Sequence, residues 1–240
     1  MKTKEFGMER IDKVKGTFDK KYKDIKGTVS SAVIRRLPRY HRYLGDLLRD
    51  GKLRISSLEL SRLMELTASQ IRQDLNCFGG FGQQGYGYNI RYLYSKISDL
   101  LGVSAGYKAV IIGAGNLGKA LAATHMFERR GVVRLGMFDV NPELVGKHIY
   151  GTPVYHVDEL YDFCVANDVS IGVLTVPKES AKEITDVLLK AGVKGVWNFA
   201  NMELSSPSED MIVENIHLGD SLMTLTYRIK SMSEGGDGDE

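Results

Sequence analysis

Apolar positions recur at helical spacing from Ser31 onward. Ala32, Val33, Leu37, Tyr40, Leu44, Leu47 and Leu48 share a stripe, while Arg35, Arg36, Arg39, Arg42 and Arg49 take other faces. Pro38 inside that stripe predicts a kink or a split into an entry turn and a main helix, and Asp50-Gly51 predicts its end. A short helix follows over Ile55 to Met64, opened by Ser56 with Glu59 three residues on, the pattern of a capping box. Glu65-Leu66 reads as a turn, and Thr67 with Gln70 opens another helix from Ala68 to about Cys77, with Ile71 and Leu75 on its apolar face. Two short helices joined by a tight turn, after a longer one, predict a helix-turn-helix.

The run Phe78 to Tyr88 interleaves five glycines with four aromatic residues, which excludes a helix interior and suits a tight β-hairpin beside the helix-turn-helix, a wing. Asn89 to Leu101 is amphipathic again through Ile90, Leu93, Tyr94, Ile97, Leu100 and Leu101, and 102–106 reads as a domain boundary. From Tyr107 the pattern changes to short apolar runs alternating with helical stretches. Strands are predicted at 108–112, 132–139, 152–155, 170–176, 195–200 and 211–216, and helices at 116–130, 157–167, 178–191 and 217–230, with a helical turn at 141–146. Such alternation predicts an α/β fold with a doubly wound parallel sheet. The last helix carries Leu218, Leu222, Leu225, Thr226 and Ile229 on one stripe, which predicts either closure of its own domain or packing on a partner subunit.

The sharpest motif is Gly113-Ala114-Gly115-Asn116-Leu117-Gly118, which leaves a β-branched run and enters an Ala/Leu-rich helix. In that setting Gly113 permits the turn, Gly115 lets backbone approach a pyrophosphate, and Gly118 lets the helix pack close to the sheet. The anion would sit at the helix N-terminus. Asp139 ends the next strand 21 residues after Gly118, where an acid accepts from the adenine-ribose 2′-OH and repels a 2′-phosphate, so NAD(H) is expected over NADP(H). Ligands in doubly wound sheets lie beyond the carboxyl ends of strands, which adds Thr175, Val176, Pro177, Asn198 and Phe199 to the expected cofactor site.

Charge separates the two halves. Residues 1–106 carry 20 Lys/Arg against 11 Asp/Glu, whereas 107–240 carry 12 against 19. A basic half suggests a polyanion partner, double-stranded DNA above all. The second helix of the motif presents Ser69, Gln70, Arg72, Gln73 and Asn76 on its polar face, residue types that read base edges. Residues 1–30 read as a basic flexible leader and 231–240 as an acidic tail. Cys77 and Cys164 show neither metal-ligand spacing nor a disulfide framework, and no apolar run is long enough for a membrane span. A soluble cytoplasmic protein with no metal is expected.

With these residues in view, the chain resembles the family of bacterial redox-sensing transcriptional repressors named Rex, over about residues 31–230. The marks are Ala32 to Tyr40, Thr67 to Leu75 with Phe78 to Tyr88, the glycine motif, Leu174 to Pro177, and Asn198 to Ala200. The resemblance implies a homodimer with a winged helix at 31–102, a Rossmann-like NAD(H) domain at 107–216, and a C-terminal helix at 217–230 swapped into the other subunit. It implies repression of fermentation and respiration genes, with release of the operator when NADH rises. By position it makes Ser69, Gln70, Arg72 and Gln73 base-facing, Arg35, Arg36 and Arg39 phosphate contacts, and Gln83 and Gln84 wing contacts. It also puts Phe199 near the nicotinamide and Arg42 near the seam between the wing domain of one subunit and the cofactor domain of the other. Asn198 stands where some members have Asp and Thr124 where many have Tyr, so a Tyr–Asp hydrogen bond cannot form here.

The alternative from another class is an NAD-dependent dehydrogenase with an accessory N-terminal domain. Hydride transfer to a carbonyl needs an acid/base near the nicotinamide. His125, His148, His156 and His217 are available, but no inferred strand end pairs one with an oriented carboxylate, and no substrate domain remains once the winged helix is assigned. The expectation is a regulator with no catalytic residues.

Overall fold

A computed structural model of the chain describes residues 29–78, 82–83 and 87–234. The basic leader up to residue 28, the hairpin tip with Gln84, and the acidic tail from 235 lie outside the described residues. The chain divides into two compact units, one up to Gly102 and one from Val103.

In the first unit α1 (Ser31–Arg49) starts where the Ser30 side chain accepts from the Val33 backbone N–H. Pro38 neither splits nor ends it. Proline removes one hydrogen bond to the carbonyl four residues back, and here both Pro38 and Ile34 are exposed, so solvent can satisfy that carbonyl. β1 (Arg54–Ile55) follows, then α2 (Ser57–Met64) and α3 (Ala68–Asn76). The capping box on α2 is complete: Ser56 and Glu59 satisfy each other's backbone N–H groups, and Lys52 bonds Glu59 at 2.8 Å. The lysine first, then both Ser56 donors, hold the Glu59 carboxyl down at about 2. Thr67 caps α3 through the Gln70 N–H.

β2 (Gly82–Gln83) and β3 (Gly87–Asn89) form the wing, and β3 also pairs with β1, giving an antiparallel sheet in the order β1-β3-β2. α4 (Ile90–Leu100) closes the unit under an Asn89 cap. Leu37, Tyr40, Leu44, Ile55, Leu60, Met64, Ile71, Leu75, Ile90, Leu93 and Ile97 make one core, so the helix-turn-helix rests on both long helices.

The second unit is built on β4 (Tyr107–Ile112), β5 (Val132–Asp139), β6 (His148–Ile149), β7 (Thr152–His156), β8 (Ile171–Leu174), β9 (Gly195–Asn198) and β10 (Ile212–Asn215). Their order is β10-β9-β8-β4-β5-β7-β6, parallel throughout except for β6 against β7. β4 sits at the centre, with β8, β9 and β10 running outward on one side and β5, β7 and the edge strand β6 on the other, the doubly wound arrangement that the alternation predicts. The edge hairpin β6–β7 is absent from the sequence reading. It turns on Tyr150 and Gly151, both at positive φ, and Tyr at such a position gives no hairpin signal.

The helix expected over 116–130 is broken. α5 (Asn116–Ala123) ends at Thr124, whose backbone is extended, and α6 (Met126–Arg129) starts afresh. The Thr124 hydroxyl donates to the Leu121 carbonyl at 2.8 Å, competing with the helical ladder, and Arg134 donates to the Ala122 carbonyl at 2.6 Å. α7 (Leu160–Asn167) follows a short 3₁₀ turn, and α8 (Lys178–Lys190) packs on one sheet face. The other face holds Ile111, Ala122, Phe127, Met137 and Val173, with Trp197 and Phe199 packed against them.

α9 (Leu218–Glu234) ends the described chain. Leu218, Leu222, Met223, Leu225, Tyr227, Ile229 and Met232 are all more than half exposed on it. Of the two readings for this helix, closure of its own domain is therefore excluded. Among the described residues no helix is long and apolar enough to cross a membrane.

Candidate functional site

The glycine turn lies where β4, β5, β8 and β9 end together. Ile112 stands beside Phe138 and Leu174 in register, and Leu174 beside Asn198. Gly113 has φ +99°, and a Cβ there would sit 2.6 Å from the Thr175 carbonyl oxygen. A Cβ on Gly118 would sit 2.0 Å from the Gly113 carbonyl oxygen. Both glycines are thus required by the fold itself. Gly115 differs: a Cβ there meets no protein atom within 4 Å, and it opens α5, whose N-terminus carries no side-chain cap. Open space above a glycine, next to uncapped helical N–H groups, is the cradle a pyrophosphate fits.

The acid and the threonine hold this turn. Asp139 accepts from the Ala114 N–H at 2.6 Å and from the Asn141 N–H at 2.8 Å, one bond to each carboxylate oxygen, which leaves lone pairs for a ribose hydroxyl. Ala114 itself is buried, so only its backbone takes part. The Thr175 hydroxyl lies 2.8 Å from the Gly113 carbonyl and 3.0 Å from that of Ile112, which makes it a clamp on the turn. Asn116 is exposed, and Leu117 and Val176 are half-buried beside the cradle's strands. Pro177 is the residue from which α8 starts.

Phe199 is half-buried, its ring 4.6 Å from that of Trp197. Asn198, expected as a cofactor contact, is fully buried, and its side-chain amide is committed to the fold. Its Nδ2 donates to the Met202 carbonyl at 2.9 Å and to Asn215 Oδ1 at 2.8 Å, and its Oδ1 accepts from the Ala200 N–H at 2.9 Å. Asn215 continues to Glu203 Oε1 at 3.1 Å, and Glu203 Oε2 meets His217 Nε2 at 2.8 Å. Asn198 therefore shapes the Phe199 loop from beneath and links it to the base of α9. His217 does have a carboxylate partner, contrary to the sequence reading, as does His156 with Asp158 at 3.1 Å. Glu203 and Asp158 are each largely exposed, which is a poor setting for a sheltered acid/base pair. Burial pushes the Cys164 thiol up to about 12, which removes it as a nucleophile. Among the described residues no group of His, Cys, Asp and Glu could hold a metal ion.

In the first unit Ser69, Arg72, Gln73 and Asn76 are exposed along α3, and Arg35 is exposed on α1. Arg72 Nη1 lies 3.2 Å from Ser57 Oγ, so the first residue of α2 steadies it. Gln83 lies in the wing strand β2. Arg36 and Arg39 are half-buried and bonded within the fold: Arg39 donates to the Met64 carbonyl at 2.8 Å, and Arg36 forks onto Asp74 at 2.7 and 2.8 Å. These bonds account for their positions within the fold. Asp74 was missed by reading the sequence for exposed polar faces. The available signal was a lone acid three residues after Ile71 and next to Leu75, on the apolar side of α3, with Arg36 and Tyr40 one turn apart on α1. Glu203 and Asn215 were missed as well, since neither stands in a motif.

Two family models match the chain, one described as "Putative DNA-binding protein N-terminus" over residues 28–76 and one described as "CoA binding domain" over residues 105–202. Among curated relatives, the redox-sensing transcriptional repressor Rex of Thermoanaerobacter sp. (strain X514) is 52% identical over 204 residues, covering 85% of this chain and 91% of its own. That of Clostridium botulinum (strain Alaska E43 / Type E3) is 49% identical over 206 residues, covering 86% and 98%. Among solved structures, RSP in complex with β-NAD+ and operator DNA superposes with a TM-score of 0.80 at 50% identity, over 88% of this chain and 99% of that one. RSP in complex with β-NADH gives a TM-score of 0.80 at 47% identity, with the same coverage. Identity at this level across both units, with the glycine cradle and the helix-turn-helix in place, means that the chain belongs to the Rex family of redox-sensing transcriptional repressors.

Proposed function

We propose that this protein is a DNA-binding transcriptional repressor that senses the NADH/NAD+ balance and releases its operator when NADH rises. The observation that carries this is the presence in one chain of an exposed α3 with base-reading side chains and of a glycine cradle open above Gly115. Relatives about half identical along nearly their whole length, solved with operator DNA and with either form of the cofactor, support the same reading. The protein is a regulator rather than an enzyme, as its family is. Its place of action is then the cytoplasm, where the DNA is.

The working form is a homodimer. α9 exposes a full apolar stripe, and the second unit also carries a groove of about 450 Å³ lined chiefly by Met126, Phe127, Val132, Trp197 and Ile212. Two apolar surfaces on one unit, neither covered by its own chain, suit association with a second copy. The resemblance to the family supports α9 as the exchanged element.

The test uses a duplex selected from a random pool by the protein itself. Its complex is titrated with NAD+, with NADH or with neither, followed by gel shift. Release by NADH and not by NAD+ is expected, and no difference between the two would overturn the sensing role. By linkage, DNA must then weaken NADH binding by the same factor that NADH weakens DNA binding.

Two substitutions probe the parts. Asp139→Ala is expected to weaken NADH by about 10- to 100-fold, as a charged acceptor is worth roughly 1.5 to 3 kcal/mol, and to narrow the gap to NADPH. Fluorescence titration with both nucleotides reads this directly, and an unchanged NADH affinity would remove Asp139 from the ribose. Arg72→Ala is expected to cost about 1 to 3 kcal/mol on the selected duplex and less on random DNA. Equal loss on both would make Arg72 a phosphate contact.

A further inference from the structure

Asp74 is the one carboxylate on α3, the helix read here as facing DNA, and it is 1% exposed. Four donors converge on its two oxygens. Oδ2 accepts from Arg36 Nε at 2.7 Å and from the Tyr40 hydroxyl at 2.9 Å, while Oδ1 accepts from Arg36 Nη2 and Gln70 Nε2, each at 2.8 Å. Burial alone would push this carboxyl up, but the bonds from Arg36, Gln70 and Tyr40 outweigh it and hold its pKa below the ordinary value. Asp74 is therefore ionised at neutral pH, and its charge is matched inside the fold by Arg36.

An ionised carboxylate accepts hydrogen bonds and cannot donate. It admits the amide nitrogen of Gln70 and repels the amide oxygen, so the Gln70 side chain has one orientation. That leaves the Gln70 carbonyl oxygen and its second amide hydrogen for an outside partner, the pair of groups that a glutamine uses on adenine. A free glutamine on an exposed helix would present both orientations and lose rotamer entropy on binding. Arg36 commits its Nε–Nη2 edge to Asp74, and only the outer hydrogens on Nη1 and Nη2 remain for any other partner.

We infer that Asp74 is a specificity-positioning residue: it fixes the orientation in which Gln70 meets a base pair, and Arg36 serves that specificity by holding Asp74 in place. The inference rests on the DNA-binding reading of α3.

The experiment compares wild type, Asp74→Asn, Arg36→Lys and Gln70→Ala on the selected duplex, on its single-base-pair variants and on random duplex, by fluorescence anisotropy. Thermal melting and NADH binding, the latter a property of the other unit, report on folding. Asparagine can accept or donate, so Asp74→Asn frees the Gln70 amide to flip. The expected result is a drop of about tenfold in discrimination at one base-pair position, the same position that Gln70→Ala affects. Affinity for random duplex is unchanged or raised, because one negative charge is gone. A merely structural role would lower binding to all duplexes together.

Should Asp74→Asn not fold, Arg36→Lys decides. It keeps the positive charge but loses the fork that holds the carboxylate in place against Gln70, so a loss of discrimination at the Gln70 position with random-duplex affinity retained is expected. Discrimination unchanged at every position in the folded variants would overturn the inference. Failure of the wild type to select any duplex would instead overturn the DNA-binding reading itself.

Discussion

Removal of residues 217–240 is expected to give a monomer that binds NADH but has lost tight operator binding. α9 is 17 residues long, and an isolated helix of that length is marginal in water. Leu218, Leu222, Leu225, Ile229 and Met232 follow one another at spacings of three and four, so they line a single stripe, and none is less than half exposed. Burying such a side chain stabilises by about 1.5 to 3 kcal/mol, so leaving all of them in water forfeits roughly 5 to 10 kcal/mol after ordering costs. That is enough to tie the ordering of α9 to association. A dimer engages both halves of an operator at once, and a monomer forfeits the effective concentration of the second half, worth about 100-fold or more. Sedimentation equilibrium and anisotropy on the selected duplex check the two parts. A truncated chain that remains dimeric would place the interface elsewhere, with the groove beside Trp197 the first alternative.

Substitutions in the glycine turn are expected to separate two kinds of glycine. Gly118→Ala forces a Cβ to within 2.0 Å of the Gly113 carbonyl oxygen and 2.9 Å of the Thr175 hydroxyl, so the first turn of α5 must move away from β4. Both thermal stability and NADH binding fall, the latter by about 100-fold or more, equivalent to about 2.7 kcal/mol. Gly115→Ala meets nothing in the protein, so the melting temperature of the ligand-free chain is unchanged, yet NADH binding is weakened because the methyl group fills the space a pyrophosphate needs. Calorimetry of the free protein and fluorescence titration with NADH read the contrast. If Gly115→Ala binds NADH as the wild type does, the phosphate lies somewhere other than this cradle. Operator binding without nucleotide should survive in the Gly115 variant, since the first unit carries that surface.

Much of this protein is legible in its amino-acid sequence. The capping box of Ser56 and Glu59, the Thr67 cap, the glycine motif and the apolar periods each act within a few residues, so the elements they specify follow from local spacing alone. The alternation of runs after Tyr107 carries the doubly wound order with it, because parallel strands need crossovers and crossovers have one hand. Where local signals compete, the reading fails. Pro38 looks like a break, yet its lost bond falls on the solvent side of α1. Thr124 looks like an interior helical residue, yet its hydroxyl takes the Leu121 carbonyl and the helix stops.

Local spacing along the chain specifies the two units, the helix-turn-helix with its wing strands, the glycine cradle with Asp139 beside it, and the amphipathic last helix. Which polar side chains are free to act follows instead from how distant elements pack. Arg36 and Asp74 are 38 residues apart, and their bidentate bond commits one edge of Arg36 to an internal ion pair. Asn198 and Asn215 are 17 residues apart, and their contact commits the Asn198 amide to the fold. The physical reason is the same in both cases. A buried polar group must find a partner or lose about 1 to 3 kcal/mol, and the partner is set by which elements pack together, not by its distance along the chain.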